Sequence, residues 1–374
     1  MLELILDHEC HNGAHPEQLG PWHWQFDARG DDGHYCYYFH CSLHATQAGE
    51  AVVDVVPDRD LLPASGKSFR HHRPETVWLL RGNCWERHPL APDAPAGGVR
   101  LRVELRAGEV VAFSRMRPYP YSAVTAKVKE LAEHAEAGAF NLGSTAEGRE
   151  ILALQVGNGE QQVLLLGGQH PAEFGGTQAV LGIADWLLSR LPEARELRAR
   201  YRFTLVPILN PDGNVLGRCG YNAQGEDLYR AFTGATEGVL PKAREAACLW
   251  QWIQTQRPWL SLNFHSYTKP WSSGDAPWEG MYTAPDEAFP TSAFREAQRQ
   301  VDDLLAWQTE GLSLNRRFSE HVPASLEYQL AALGVLTGFY EVQDAVGPFH
   351  QRRTGVEVLR AALGAAPPGG IPRQ

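Results

Sequence analysis

The 374-residue chain is 43% hydrophobic and 21% charged, ordinary for a globular protein, and its length exceeds one comfortable core, which predicts two domains. Its formal net charge of −10 argues against a general nucleic-acid binder, and it has no apolar run of about 18 residues, so no membrane span is expected. The opening MLELILDHEC has no basic region leading into a long apolar one, so no signal peptide and a cytoplasmic location are expected.

Residues 1–116 read as a small antiparallel β-sandwich domain. Strands are expected at 34–43, 50–57, 75–82, 99–108 and 109–116, all short and rich in aromatic or β-branched residues, with turn-forming residues between them. The Pro- and Ala-rich 88–98 reads as a loop within it. MRPYPYS (116–122) reads as the junction, with Ser122 placed to cap the following helix. From 117 to 365 strands and helices alternate: strands at 161–168, 200–209, 259–266 and 335–342, helices at 177–190, 241–256, 291–308, 325–334 and 354–364. That pattern predicts an α/β domain whose mixed, largely parallel sheet is flanked by helices. Residues 366–374 form a tail.

In such sheets, working residues gather beyond the carboxyl ends of the strands. His170 and Glu173 follow the first strand, and their spacing can aim an imidazole and a carboxylate at one point, a pairing zinc accepts. Gly167, Gly168, Gly175 and Gly176 let the backbone bend around them. The blander reading is a solvated loop, with Glu173 favouring a helix N-terminus. His265 closes the strand WLSLNFHSY, where a polar ring needs a partner. It is either a third ligand or a core histidine bonded to Tyr267 or Asn263. Three protein ligands to one zinc ion leave a position open for water, as a catalytic site requires.

Asn210-Pro211-Asp212-Gly213 forms a turn, and Arg218, Asp227 and Arg230 lie beyond it. Asp227 is the candidate acceptor for the outer N–H of His170. Two arginines beside a metal can hold a substrate carboxylate and polarise a carbonyl, or they are solvated on a surface loop. Glu341, ending an apolar strand, is a candidate general base and acid.

Together HxxE (His170, Glu173), NPDG (210–213), DLxR (Asp227 to Arg230), HSY (His265 to Tyr267) and Glu341 resemble the zinc carboxypeptidases of the carboxypeptidase A type, over residues 120–365. The preceding β-rich region and the YPYS junction look most like the cytosolic carboxypeptidase branch and its bacterial members. The resemblance implies that His170, Glu173 and His265 bind one zinc and that Glu341 is general base and acid. It implies that Asp227 orients His170, that Arg218 polarises the scissile carbonyl and that Arg230 holds the substrate's terminal carboxylate. Tyr229 and Asn210 are expected beside that substrate. The implied activity is removal of C-terminal residues from peptides or flexible tails.

The sequence departs from this pattern in places. Tyr229 stands where the family usually has Asn, so half of the carboxylate clamp is replaced. In the cytosolic branch the polarising Arg sits slightly later in the loop than Arg218. The segment 319–329 should line the pocket for the terminal side chain, but no arginine falls within 318–341, and Arg316 and Arg317 lie just upstream. Glu327 suits a basic or amine-bearing group if it faces that pocket, and is otherwise a solvent-face residue. Tyr328 is either a mobile phenol over the substrate or a packing tyrosine.

The nearest alternative is a zinc deacylase or amidase of small N-acyl amino acids on the same fold, since DLYRAF is as close to that group's motif. A non-catalytic binding module is a further one. The residues His8, Cys10 and His11 of HECH, with His34, Cys36, His40, Cys41 and His44, have the types for a second, structural zinc but no standard spacing. The six cysteines include no CxxC pair, and free, mostly buried thiols with strand-face histidines are the plainer expectation. The N-terminal domain is expected to limit access to the cleft. No oligomeric state is implied.

Overall fold

The computed structural model describes residues 1–32, 34, 36–60, 74–267, 279–307 and 316–365. The tail 366–374 lies outside the described residues.

The first nine strands form two sheets. One runs Leu2–Ile5, His40–Ala45, Glu109–Ser114, Thr76–Arg81 and Cys84–Pro89 in spatial order; the other runs Ala14–Gly20, His23–Ala28, Gly49–Pro57 and Val99–Leu105. Strict alternation drives their packing. Val99, Leu101, Val103 and Leu105 are buried, while Arg102 and Glu104 between them are exposed. These residues meet Leu43, Leu79, Val111 and Phe113 of the facing sheet in a shared core. The expected antiparallel sandwich is therefore present with one correction: His23–Ala28 pairs parallel to Gly49–Pro57. The expected strand at 34–43 also starts only at His40. Tyr37 and Tyr38 instead pack with Ala172, Phe174 and Cys219 of the later region.

After Ser114 the chain enters the helix Tyr121–Leu131. Pro120 precedes this helix without a capping side chain. Ser122 lies inside its first turn and bonds Glu9 through its N–H and hydroxyl, so it ties the helix to the N-terminal segment rather than capping it.

The third sheet has eight strands in the order Ala137–Ser144, Glu150–Val156, Tyr201–Val206, Gln161–Gly167, Leu260–Tyr267, Leu336–Gln343, Gly280–Thr283 and Arg316–Glu320. Its centre is parallel and its flanks carry antiparallel pairs. One face packs on Phe174–Leu187, Ser292–Trp307 and Pro348–Ala365, which supply Val180, Val301 and Leu359 against Leu262, Phe264 and Val342. The other packs on Arg244–Gln256 and Leu326–Ala332, which supply Leu249, Trp250 and Leu330 against Leu164 and Leu166. Pro348–Ala365 begins six residues earlier than expected, because Gly347 at φ 93° turns the chain and Pro348 is pre-set for a first helical position.

The segments between the N-terminal strands grip the loop that follows Pro211–Val215. The Asp31 carboxylate accepts from the N–H groups of Cys219 at 3.1 Å, Gly220 at 2.6 Å and Tyr221 at 2.8 Å. Asn12 donates to the Gly217 carbonyl at 2.8 Å, and Arg29 to that of Leu216 at 2.6 Å. Tyr37 donates to the Cys219 carbonyl at 3.1 Å. Burial pushes the Asp31 carboxyl up, against the pull of those N–H groups and of Arg218. Asp31→Ala would leave the buried donors unmatched, so we expect it to lower the unfolding free energy by about 2–4 kcal/mol. Urea denaturation measures this, and a change below about 0.5 kcal/mol would show that the clamp is not needed.

Candidate metal centre

His170 and Glu173 lie between the strand Gln161–Gly167 and the helix Phe174–Leu187; His265 lies near the end of the adjoining strand. Two glycines make this geometry possible in different ways. Gly168 takes φ 59° and turns the chain off the strand. Gly176 is needed for close approach, since a Cβ there would lie 2.1 Å from the Phe264 carbonyl oxygen. Gly175 and Gly176 therefore allow the helix to press on the strand rather than letting the loop bend.

The Glu173 carboxylate sits between the two imidazoles. Its Oε1 lies 2.9 Å from His170 Nδ1 and its Oε2 lies 2.6 Å from His265 Nδ1, with the Ser266 N–H on Oε2 at 3.2 Å. The rings are 4.8 Å apart and nearly perpendicular. One donor atom from each of the three residues lies within 4.8 Å of the others, and among the described residues this is the one such group of three. His170 and His265 are 6% and 1% exposed. Burial disfavours charge on His170, but the carboxylates of Glu173 and Asp227 outweigh it and raise the imidazole pKa to about 10. Burial likewise opposes the Glu173 carboxylate, while His170 and His265 hold it well below the usual carboxylate range. A divalent cation among these atoms would take over the role of those protons, and two imidazoles with one carboxylate suit zinc.

The outer nitrogens are also held. His170 Nε2 pairs with Asp227 Oδ1 at 3.1 Å, as the sequence reading expects. His265 Nε2 pairs with Gln169 Oε1 at 2.9 Å, a partner that reading missed. Asn263 is not the direct partner of that nitrogen; it donates to Gln169 Oε1 at 3.0 Å and to Glu327 Oε1 at 2.7 Å, and the Tyr267 side chain lies outside the described residues. Glu327 is fully buried, not on a solvent face.

Glu341 is in register with His265 on the neighbouring parallel strand and is 8% exposed. The Tyr229 hydroxyl lies 3.0 Å from His321 Nδ1, and its ring lies 6.3 Å from those of both His170 and His265. Burial and the Glu327 charge push the Tyr229 phenol well above its usual value. Phe339 stacks on His265 at 4.2 Å, with Tyr282 and His321 beside it. Arg230 is largely exposed, 3.9 Å from Asp227.

Other expected residues lie differently. Asn210 is fully buried, accepts from the Gly213 N–H at 2.9 Å and donates to the Gln169 carbonyl at 3.4 Å, so it braces the turn. The Arg218 guanidinium lies 4.0 Å from both Asp31 and Asp32, on the side of the N-terminal sheets. Tyr328 packs half-buried against the main core. The N-terminal histidines and cysteines fit the plainer expectation: His40 Nδ1 faces the Cys10 carbonyl, Cys36 bonds the Ala28 carbonyl, and Cys41 sits in the sandwich core.

Two imidazoles and a carboxylate converge beyond parallel strands, with a second carboxylate one strand away, an arrangement in this α/β fold that could hold a metal ion. A sequence profile described as zinc carboxypeptidase matches residues 125–334, more than half of the chain. The chain belongs to the zinc carboxypeptidase family. Cytosolic carboxypeptidase 1 of Homo sapiens is 30% identical over 102 residues, covering 27% of this chain and 8% of that protein. Cytosolic carboxypeptidase 2 of Danio rerio is 36% identical over 81 residues, covering 22% and 10%. The matched segments thus span a tenth or less of these relatives. The crystal structure of a metallo-carboxypeptidase from Burkholderia cenocepacia superposes with a TM-score of 0.80 at 19% identity, over 98% of this chain and 99% of that one. That likeness extends the shared fold across the N-terminal sheets.

The raised His170 pKa gives a signed expectation. In metal-free protein its stabilising contribution is fully present below about pH 6.5 and lost as the pH rises through about 10. Melting temperatures of chelator-stripped protein should fall across that window. Zinc addition near neutral pH should release a proton from His170, read by calorimetry in buffers of different ionisation enthalpy; no proton release would contradict this.

Proposed function

We propose that the protein is a zinc-dependent metallocarboxypeptidase that removes C-terminal residues from peptides or flexible protein tails by attack of water on the amide. The observation that carries this reading is the His170, Glu173 and His265 group with Glu341 beside His265 on the next strand. His170, Glu173 and His265 would hold one zinc ion, which supplies Lewis acidity and a lowered pKa for water at the centre. Glu341 would take the proton from the attacking water and deliver it to the leaving amine. Glu341 lies just beyond the matched segment 125–334, so its role rests on strand register.

Asp227 would orient His170, and Arg230 is the exposed guanidinium suited to the substrate's terminal carboxylate. Tyr229, turned to His321, would shape the cleft wall with its ring instead of extending that clamp. Arg218 would leave Asp31 and Asp32 on substrate binding and polarise the scissile carbonyl. Residues 1–116 would act as a domain that limits access to flexible or small substrates, with 117–365 as the catalytic domain. No helix among the described residues is long and apolar enough to cross a membrane. The matched relatives are named cytosolic, which supports a cytoplasmic setting.

Glu341→Gln should lower turnover by about a hundredfold or more while metal analysis returns the wild-type zinc content. Retained activity would overturn the assignment of the base. A panel of peptides set against small N-acyl amino acids tests the substrate class. Trimming from the carboxyl end is expected, and acyl turnover without peptide turnover would overturn the carboxypeptidase reading.

A further inference from the structure

The residue immediately before the first histidine holds an unusual position. Gln169 is buried at 1% exposure and uses both ends of its amide. Its Nε2 donates to the Leu228 carbonyl at 3.0 Å. Its Oε1 accepts from Asn263 Nδ2 at 3.0 Å and faces His265 Nε2 at 2.9 Å. A backbone carbonyl only accepts, so the Leu228 contact fixes which end of the Gln169 amide is nitrogen. The oxygen must then point at His265. His265 Nε2 must therefore carry a proton, so Nδ1, which shares a hydrogen bond with Glu173 here, is the nitrogen that would face a metal once its own proton is displaced. Asn263 reinforces this orientation, because its amide nitrogen also donates to Glu327 Oε1, a carboxylate oxygen.

The same short turn sets the other imidazole. Asp227, adjacent to Leu228, accepts at His170 Nε2. One residue pair, Asp227 and Leu228, thus orients both rings: directly for His170, and through Gln169 for His265. We propose that Gln169 is a positioning residue for the metal centre. In this role it fixes the tautomer and ring orientation of His265 and couples that ring to the turn that holds His170. The proposal rests on the zinc-hydrolase reading of the same site.

The test uses zinc affinity rather than turnover. Gln169→Leu keeps roughly the side-chain volume and removes both the acceptor and the donor. Competition with a chromogenic chelator should show zinc affinity reduced about 10- to 100-fold. Gln169→Glu keeps the acceptor toward His265 and should recover most of that loss. In zinc-loaded, isotope-labelled wild-type protein, the His265 Nε2 proton should be observable by NMR and slow to exchange. A merely space-filling glutamine would not protect that proton. Zinc affinity within twofold of wild type for a folded Gln169→Leu, or an unprotonated His265 Nε2 in the wild type, would overturn the proposal. If the wild type itself binds no zinc, the reading of the centre fails instead, and the two failures are told apart by that one control.

Discussion

A carboxylate removed from water is tolerated only where charge or donors replace its hydration, and Glu173 is matched within hydrogen-bonding distance by two imidazoles and a backbone N–H. That requirement ties three places in the chain together. The loop after Gln161–Gly167 must bring His170 and Glu173 to the end of the neighbouring strand, and that strand must deliver His265 to the same point. Moving Glu173 takes the shared carboxylate from both imidazoles, and moving either histidine takes one of its partners from Glu173. The centre is thus a packing constraint on the sheet as well as a chemical one.

Support for this arrangement extends outward in steps. Asp227 and Leu228 orient the rings, and Tyr221 forms an isolated β-bridge with Asp227. Tyr221, Gly220 and Cys219 are held in turn by the Asp31 carboxylate. Phe174, next to Glu173, packs edge-on against Tyr38 at 5.6 Å. Gly217 lies so close to the His11 carbonyl that a Cβ would sit 1.7 Å from it. The N-terminal sheets therefore do more than stand beside a finished site, because they anchor both loops that carry its first and outer contacts.

Much of this was legible in the sequence, and the rest was hidden for physical reasons. The central strands announce themselves through long apolar runs, and the metal-facing residues through polar groups at their ends. The edge strands Ala14–Gly20 and Cys84–Pro89 have mostly exposed or half-exposed side chains and lack an apolar face, so no periodicity marks them. Asp227 was found because a ligand histidine needs an outer acceptor. Gln169 was overlooked because an uncharged amide beside a histidine looks like loop filler until its two ends are seen to be fixed. The aromatic run Tyr37–Phe39 suggested a strand, but hydroxyl bonds to Cys219 and Cys10 show it acting at an interface.

Leu260–Tyr267 looked like an apolar strand closed by a histidine, yet its sequence LSLNFHSY alternates strictly over six residues. A central parallel strand is normally apolar on both faces. Here Leu260, Leu262 and Phe264 enter the main core, while Ser261, Asn263 and His265 form a polar row on the opposite face. Such a row costs stability unless its members are bonded, and Asn263 is bonded to Gln169 and Glu327. The alternation therefore encodes more than the ligand. It places the amide that braces Gln169 one strand repeat below His265, so the same pleat that aims the histidine also supplies the means of holding it in place.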